Sequence, residues 1–226
     1  MNKLFIILPI WLLTTACNTV PATPGLTEEY TPEPAPENWF HGEIKGVAVD
    51  VLVPLNWEAT IPEDGEAITL VEHAGLNENG TAEGILVSVF VHELDDMVDV
   101  ETVDNPALAV LNYVAHNPDY VNDSPVSEPA AFTWDGHHAA YYLRSGVDGI
   151  YVMVLAVMLP TEQLLVCNIA TPARESQRIR ESLPLLLGNL KINGALLDGA
   201  HLDDLPNPLN FPDVVPEIPE ATDDGW

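Results

Sequence analysis

Strict alternation of apolar and polar positions opens the central part of the chain. In GVAVDVLVP (46–54), Val47, Val49, Val51 and Val53 fall on one face, the period of two that marks a half-buried strand. AITLVEH (67–73) continues in kind with Ile68 and Leu70 on one face. GILVSVFVHEL (84–94) is a longer run of β-branched and aromatic residues, followed by Asp95. The period then changes. Asn105-Pro106 opens a predicted helix, with Asp104 or Asn105 as its cap and Pro106 in its first turn. Leu108, Leu111, Val114 and Ala115 recur at helical spacing until Asn117-Pro118 stops them. Residues 118–129 read as a polar, proline-broken loop.

Strand signals return in pairs. AAFTWDGHHAAYYLRSG (130–146) reads as two strands turned at Asp135-Gly136, a dipeptide suited to a tight hairpin. GIYVMVLAVMLP (149–160) and QLLVCNIATP (163–172) form a second hairpin about Pro160-Thr161-Glu162. A second helix is expected after Thr171-Pro172, with Thr171 as cap and Ile179, Leu183, Leu186, Leu187 and Leu190 on one side. Pro184 should kink or divide it. The predicted order is β-β-β-α-β-β-β-β-α. Hairpin connections imply antiparallel pairing, which disfavours doubly wound nucleotide-binding folds. The expected class is α+β: an antiparallel sheet of about six or seven strands covered by two main helices.

The ends differ in composition from the centre. MNKLFIILPIWLLTTAC begins with a basic residue, runs apolar for ten residues from Leu4 to Leu13, and reaches Cys17 after small side chains. That is the layout of a bacterial lipoprotein signal, in which residues 1–16 are removed and the Cys17 thiol carries the lipid. The alternative is an ordinary secretory signal with a cysteine near the cut. Residues 18–38 hold five prolines, four glutamates and no base, a composition that favours extended, unpacked chain. Residues 17–38 are read as a stalk, 39–197 as a globular domain, and 198–226 as a mobile acidic tail with five prolines and eight acids.

Charge narrows the partners. The 226 residues carry 35 Asp+Glu against 7 Lys+Arg, a formal −28, and the 39–197 segment holds 23 acids and 6 bases of these. A phosphate backbone would be repelled, which argues against nucleic acid, and anionic lipid gains no electrostatic hold. Attachment to a membrane would therefore have to be covalent, through Cys17. The other cysteine, Cys167, sits in the apolar run LLVCNIA and reads as a buried thiol without a disulfide partner.

Candidate chemistry is sparse. The chain contains no Gly-x-Ser-x-Gly, no phosphate-cradling glycine motif and no His-Glu-x-x-His. His137 and His138 are adjacent on a predicted strand and so point to opposite faces, although His137 would meet His73 or His92 if their strands were neighbours. HELDDMVDVETVD (92–104) gathers Glu93, Asp95, Asp96, Asp99, Glu101 and Asp104, which could hold Ca²⁺ or form a solvated loop before the helix. Trp134, beside a turn, is expected to be partly exposed, where it could stack on a ligand. The tail ending in Trp226 could dock into a basic groove or remain a solubilising end.

The turn VLVPLNW (Pro54 to Trp57), the hairpin WDGHHAAYYL and the passage IATPARESQRI together resemble the PsbP-like superfamily over about residues 42–193. That resemblance implies an α/β/α sandwich and a scaffold or accessory role rather than catalysis. The expectation is a lipid-anchored extracytoplasmic module with a protein partner, no cofactor, no metal and no catalytic residue. A cation-binding protein and an unrecognised hydrolase are the alternatives.

Overall fold

Residues 38–74, 83–94, 103–121, 124–146 and 148–214, the parts of the chain that the computed structural model describes, build two antiparallel sheets. The strands are β1 (Trp39–Ile44), β2 (Val47–Leu52), β3 (Trp57–Thr60), β4 (Ala67–Glu72) and β5 (Leu86–Glu93) before the first helices. After α1 (Pro106–Ala115) and α2 (Pro118–Val121) come β6 (Ala130–Trp134), β7 (His137–Ser145), β8 (Ile150–Met158) and β9 (Gln163–Pro172). Then follow α3 (Ser176–Leu187), β10 (Asn189–Ile192) and β11 (Ala195–Asp198).

The larger sheet has seven strands in the order β3-β4-β5-β9-β8-β7-β6, and the smaller has four in the order β1-β2-β10-β11. Two meanders make the large sheet. The long-range pairing of β5 with β9 joins them, running from Leu86 opposite Ala170 to Glu93 opposite Gln163. β8 and β9 lie centrally and are covered on both faces, which is why their sequences are continuous apolar runs rather than alternations. β2 keeps its alternation, with Val47, Val49 and Val51 buried and Ala48 exposed.

One face of the large sheet packs against the small sheet and α3, bringing Val89, Leu155 and Cys167 together with Val49, Ile179 and Leu183. The opposite face is covered by α1, whose Ala107, Val110 and Leu111 lie over Tyr142, Val154 and Val166. A ten-residue helix covers only part of a seven-stranded face, and that incomplete cover leaves room for a cleft.

Several expectations are met locally. Asn105 caps α1, its side chain accepting a hydrogen bond from the Leu108 N–H at 3.0 Å, and Pro106 takes the first turn. The Asp135-Gly136 turn has both residues at positive φ, 50° and 79°, as a tight hairpin with right-handed twist requires.

Others are corrected. Thr171 does not cap the last helix: it pairs with Tyr151 in the β8–β9 ladder, and its buried hydroxyl donates to the Gly84 carbonyl at 3.0 Å. A 3-10 turn (Ala173–Glu175) intervenes, and α3 begins at Ser176. The helix runs on through Pro184 instead of dividing there. The short helix α2 occupies part of the expected 118–129 loop.

The smaller sheet is an addition to the predicted single sheet: Gly42 interrupts β1, and Leu190, expected on the last helix, lies instead in the four-residue β10. Packed structure also extends past residue 197. Gly199–Asp204 form a 3-10 helix, and Leu202, Leu205 and Leu209 are buried in the main core. Gln177 of α3 clasps Leu209 from both sides, its amide N–H donating to the Leu209 carbonyl and its Oε1 accepting from the Leu209 N–H. Among the described residues no helix is long and apolar enough to cross a membrane.

Candidate functional site

Alternation along β7 decides which of its residues can form a site. Leu143 and Ser145 point to the main core, while Tyr142 and Arg144 point to the face that α1 partly covers. Register then sets their neighbours. Val154 lies between Tyr142 on one side and Asn168 on the other, and Val152 lies beside Arg144. On the same face β5 contributes His92, whose ring stacks against Phe90 with centroids 6.1 Å apart. Val110, Leu111 and Val114 of α1 form the opposite wall, with the half-exposed Tyr120 of α2 at the rim. The result is a cleft of about 250 Å³ between helix and sheet.

Its apolar walls are valine and leucine, and its polar side chains among the described residues are few: Arg144, His92, Asn168 and the two tyrosines, Tyr120 and Tyr142. No carboxylate stands among the described residues that line it. Burial pushes the His92 imidazole below its ordinary pKa, helped by the positive charge of Lys45 and opposed by Glu66, so the ring is neutral at pH 7. A neutral imidazole offers one donor and one acceptor. Burial pushes the Tyr142 phenol up, with Arg144 acting in the opposite sense, so this hydroxyl stays protonated.

Arg144 is the exceptional group. The chain has four arginines. Arg174 pairs with Glu83 and Glu175, Arg178 with Glu72 and Glu175, and Arg180 donates to the carbonyls of Leu205 and Asp203. The Arg144 Nε is buried and has no hydrogen-bond partner among the described residues. A buried, unpaired donor costs roughly 1–3 kcal/mol, so such a group is rare unless something satisfies it.

The residues singled out from sequence fare differently. Cys17, the stalk up to residue 37 and Trp226 lie outside the described residues, as do Asp95, Asp96, Asp99 and Glu101 of the acid run. His137 does not meet His92, because two strands separate β7 from β5. His73 instead pairs with Glu58 at 3.2 Å, and His41 with Asp50 at 2.8 Å. No group of three metal-ligating side chains occurs among the described residues.

Cys167 is fully buried, and burial pushes its thiol up to about 12. Trp134 is also fully buried, so the stacking role suggested by its place beside a turn is not open to it. The Ser145 hydroxyl donates to the Pro212 carbonyl at 2.6 Å and is inward-facing. Sequence reasoning passed over Arg144. The signal was there: a single base in the apolar strand AAYYLRSG, within a chain that has only seven.

The architecture is α+β, with two antiparallel sheets and helices packed on them. No family model matches the chain, and no curated protein matches it in sequence. Among solved structures, the chain is similar in fold to the solution structure of cyanobacterial PsbP from Synechocystis sp. PCC 6803. The two are 11% identical, the match covers 64% of this chain and 86% of that one, and the TM-score is 0.46. The likeness is one of fold.

Proposed function

We propose that the chain is a lipid-anchored, extracytoplasmic accessory module that works by binding rather than by catalysis. The observation that carries the tether is the apolar run Leu4–Leu13 closing at Cys17, followed by the proline- and glutamate-rich stretch to residue 38. A surface of this acidity is repelled by anionic lipid, so a covalent anchor is the physical means of keeping such a domain at a membrane. The binding role is supported by the cleft beneath α1, whose apolar walls and few convergent polar groups suit a ligand site. A guanidinium, an amide, a phenol and a neutral imidazole can orient a bound molecule.

The test is Cys17→Ser in the host. The native chain should partition with membranes and into a detergent phase, and the variant should appear in the soluble fraction or accumulate unprocessed. A variant that is processed normally and stays with the membrane sinks the tether.

A further inference from the structure

We infer that the cleft between α1 and the large sheet is a binding site for a small organic monocarboxylate with an apolar body, received by Arg144. The inference goes beyond the tethered-module reading and stands without it.

The geometry supplies the class of ligand. Arg144 projects from near the end of β7 onto a face whose neighbours are valines, where an aliphatic side chain would pack without cost. Its buried Nε lacks a partner among the described residues. The other three arginines have carboxylate or carbonyl partners. A guanidinium presents its two terminal nitrogens as paired donors, and a carboxylate presents two coplanar acceptors at matching spacing.

Charge sets the valence. Among the described residues one cation and no carboxylate line the cleft, and the chain as a whole carries −28. A monoanion is neutralised there. A phosphate monoester would leave a second charge uncompensated inside a low-dielectric cleft of a strongly acidic protein. The neutral His92 offers no second cation to meet it.

Size and lining set the body. About 250 Å³ lies below the roughly 300–1,000 Å³ of pockets that take drug-sized ligands, so the ligand is small. Val110, Val114, Val154 and Val166 offer apolar contact along the walls. Asn168 and Tyr142 stand in the row beside Arg144, where they can fix the orientation of the carboxylate.

The experiment is calorimetric titration of the full chain with 3-phenylpropanoate, acetate, 3-phenylpropan-1-ol and 3-phenylpropylamine. Saturable binding of 3-phenylpropanoate is expected, with the alcohol and acetate at least tenfold weaker and the amine not bound. Arg144→Met should weaken the acid at least tenfold while leaving the melting temperature unchanged or higher, since it removes a buried donor that has no partner among the described residues. Arg144→Lys, which keeps the charge but loses the paired donors, should fall between the two.

Equal binding of acid and alcohol, full affinity in Arg144→Met, or no heat with the acid overturns the proposal. The comparison of acid with alcohol uses the unaltered chain and so holds even if a variant fails to fold. Loss of carboxylate binding would leave the tether intact, and release of the Cys17→Ser variant from membranes would leave the cleft intact.

Discussion

Replacing Leu202 with alanine separates a packed C-terminal segment from a mobile one. Composition alone makes residues 198–226 a tail, and a leucine in a mobile tail can be shortened with an effect within about 0.5 kcal/mol. In the structure Leu202 has 0% of its surface exposed and belongs to the main core. Leucine-to-alanine changes at such sites cost about 2–5 kcal/mol, with the larger values where the surroundings cannot collapse. Collapse is limited here. The segment is held by the Arg180 N–H donated to the Asp203 carbonyl at 2.8 Å and by the two-way clasp between Gln177 and Leu209.

A cost of about 3 kcal/mol is therefore expected. With a urea slope of about 2 kcal/mol/M, that moves the midpoint down by about 1.5 M. Tryptophan fluorescence can follow the transition, since Trp134 is buried in the same core. Leu196→Ala is the control, because Leu196 is 53% exposed and its truncation should leave the midpoint in place. A midpoint shift below about 0.25 M for Leu202→Ala would refute the packing argument.

Two further outcomes follow from burial. His92 has a folded-state pKa below its unfolded value near 6.5, so the unfolded chain takes up its proton first as pH falls. The stability of the native chain relative to His92→Gln should therefore drop as pH falls through 6.5 toward the lower folded value, then level off. A difference that stays flat from pH 7 to 5, or rises, would contradict the buried position of the ring. Cys167, with its thiol pushed up to about 12 inside the core, should resist a chromogenic disulfide reagent at pH 8 in the native domain and react fully in urea. Rapid reaction of the native thiol would place it elsewhere.

Local signals in the sequence carried the larger sheet well, and the physical reason is visible in particular residues. β5 shows as a run of β-branched residues because Val87, Val89 and Val91 are buried on one face. Asn105-Pro106 marks α1 because capping is a property of two adjacent residues, and Asp135-Gly136 marks its hairpin for the same reason. The smaller sheet was less legible. Its β2 declares itself through Val47, Val49 and Val51, but β10 and β11 have four residues each, too few for a period to show, and β1 contains Gly42 and His41.

Leu202, Leu205 and Leu209 were hidden among prolines and acids, where composition outweighs three separate side chains. Thr171-Pro172 looked like a helix entry. The ladder claimed the β-branched threonine first, and the chain spent one 3-10 turn before α3 could begin.

The cleft was the least legible feature. His92, Asn168 and Arg144 lie far apart in the chain and share one face only because β5 pairs with β9 and β9 with β8. No local pattern encodes that pairing. What the sequence did contain was a lone arginine in an apolar strand of a base-poor chain, and the structure gives that oddity its place: Arg144 lines a cleft with no carboxylate among the described residues, its Nε buried beneath without a partner.

The central claim, that this acidic domain is a binding module held to a membrane through Cys17, is tested most directly by the intact mass of the protein extracted from its host membrane. The account predicts a chain that begins at Cys17 and carries the mass of a diacylglycerol on that residue. An unmodified Cys17, or a mature chain that begins beyond it, would contradict the account.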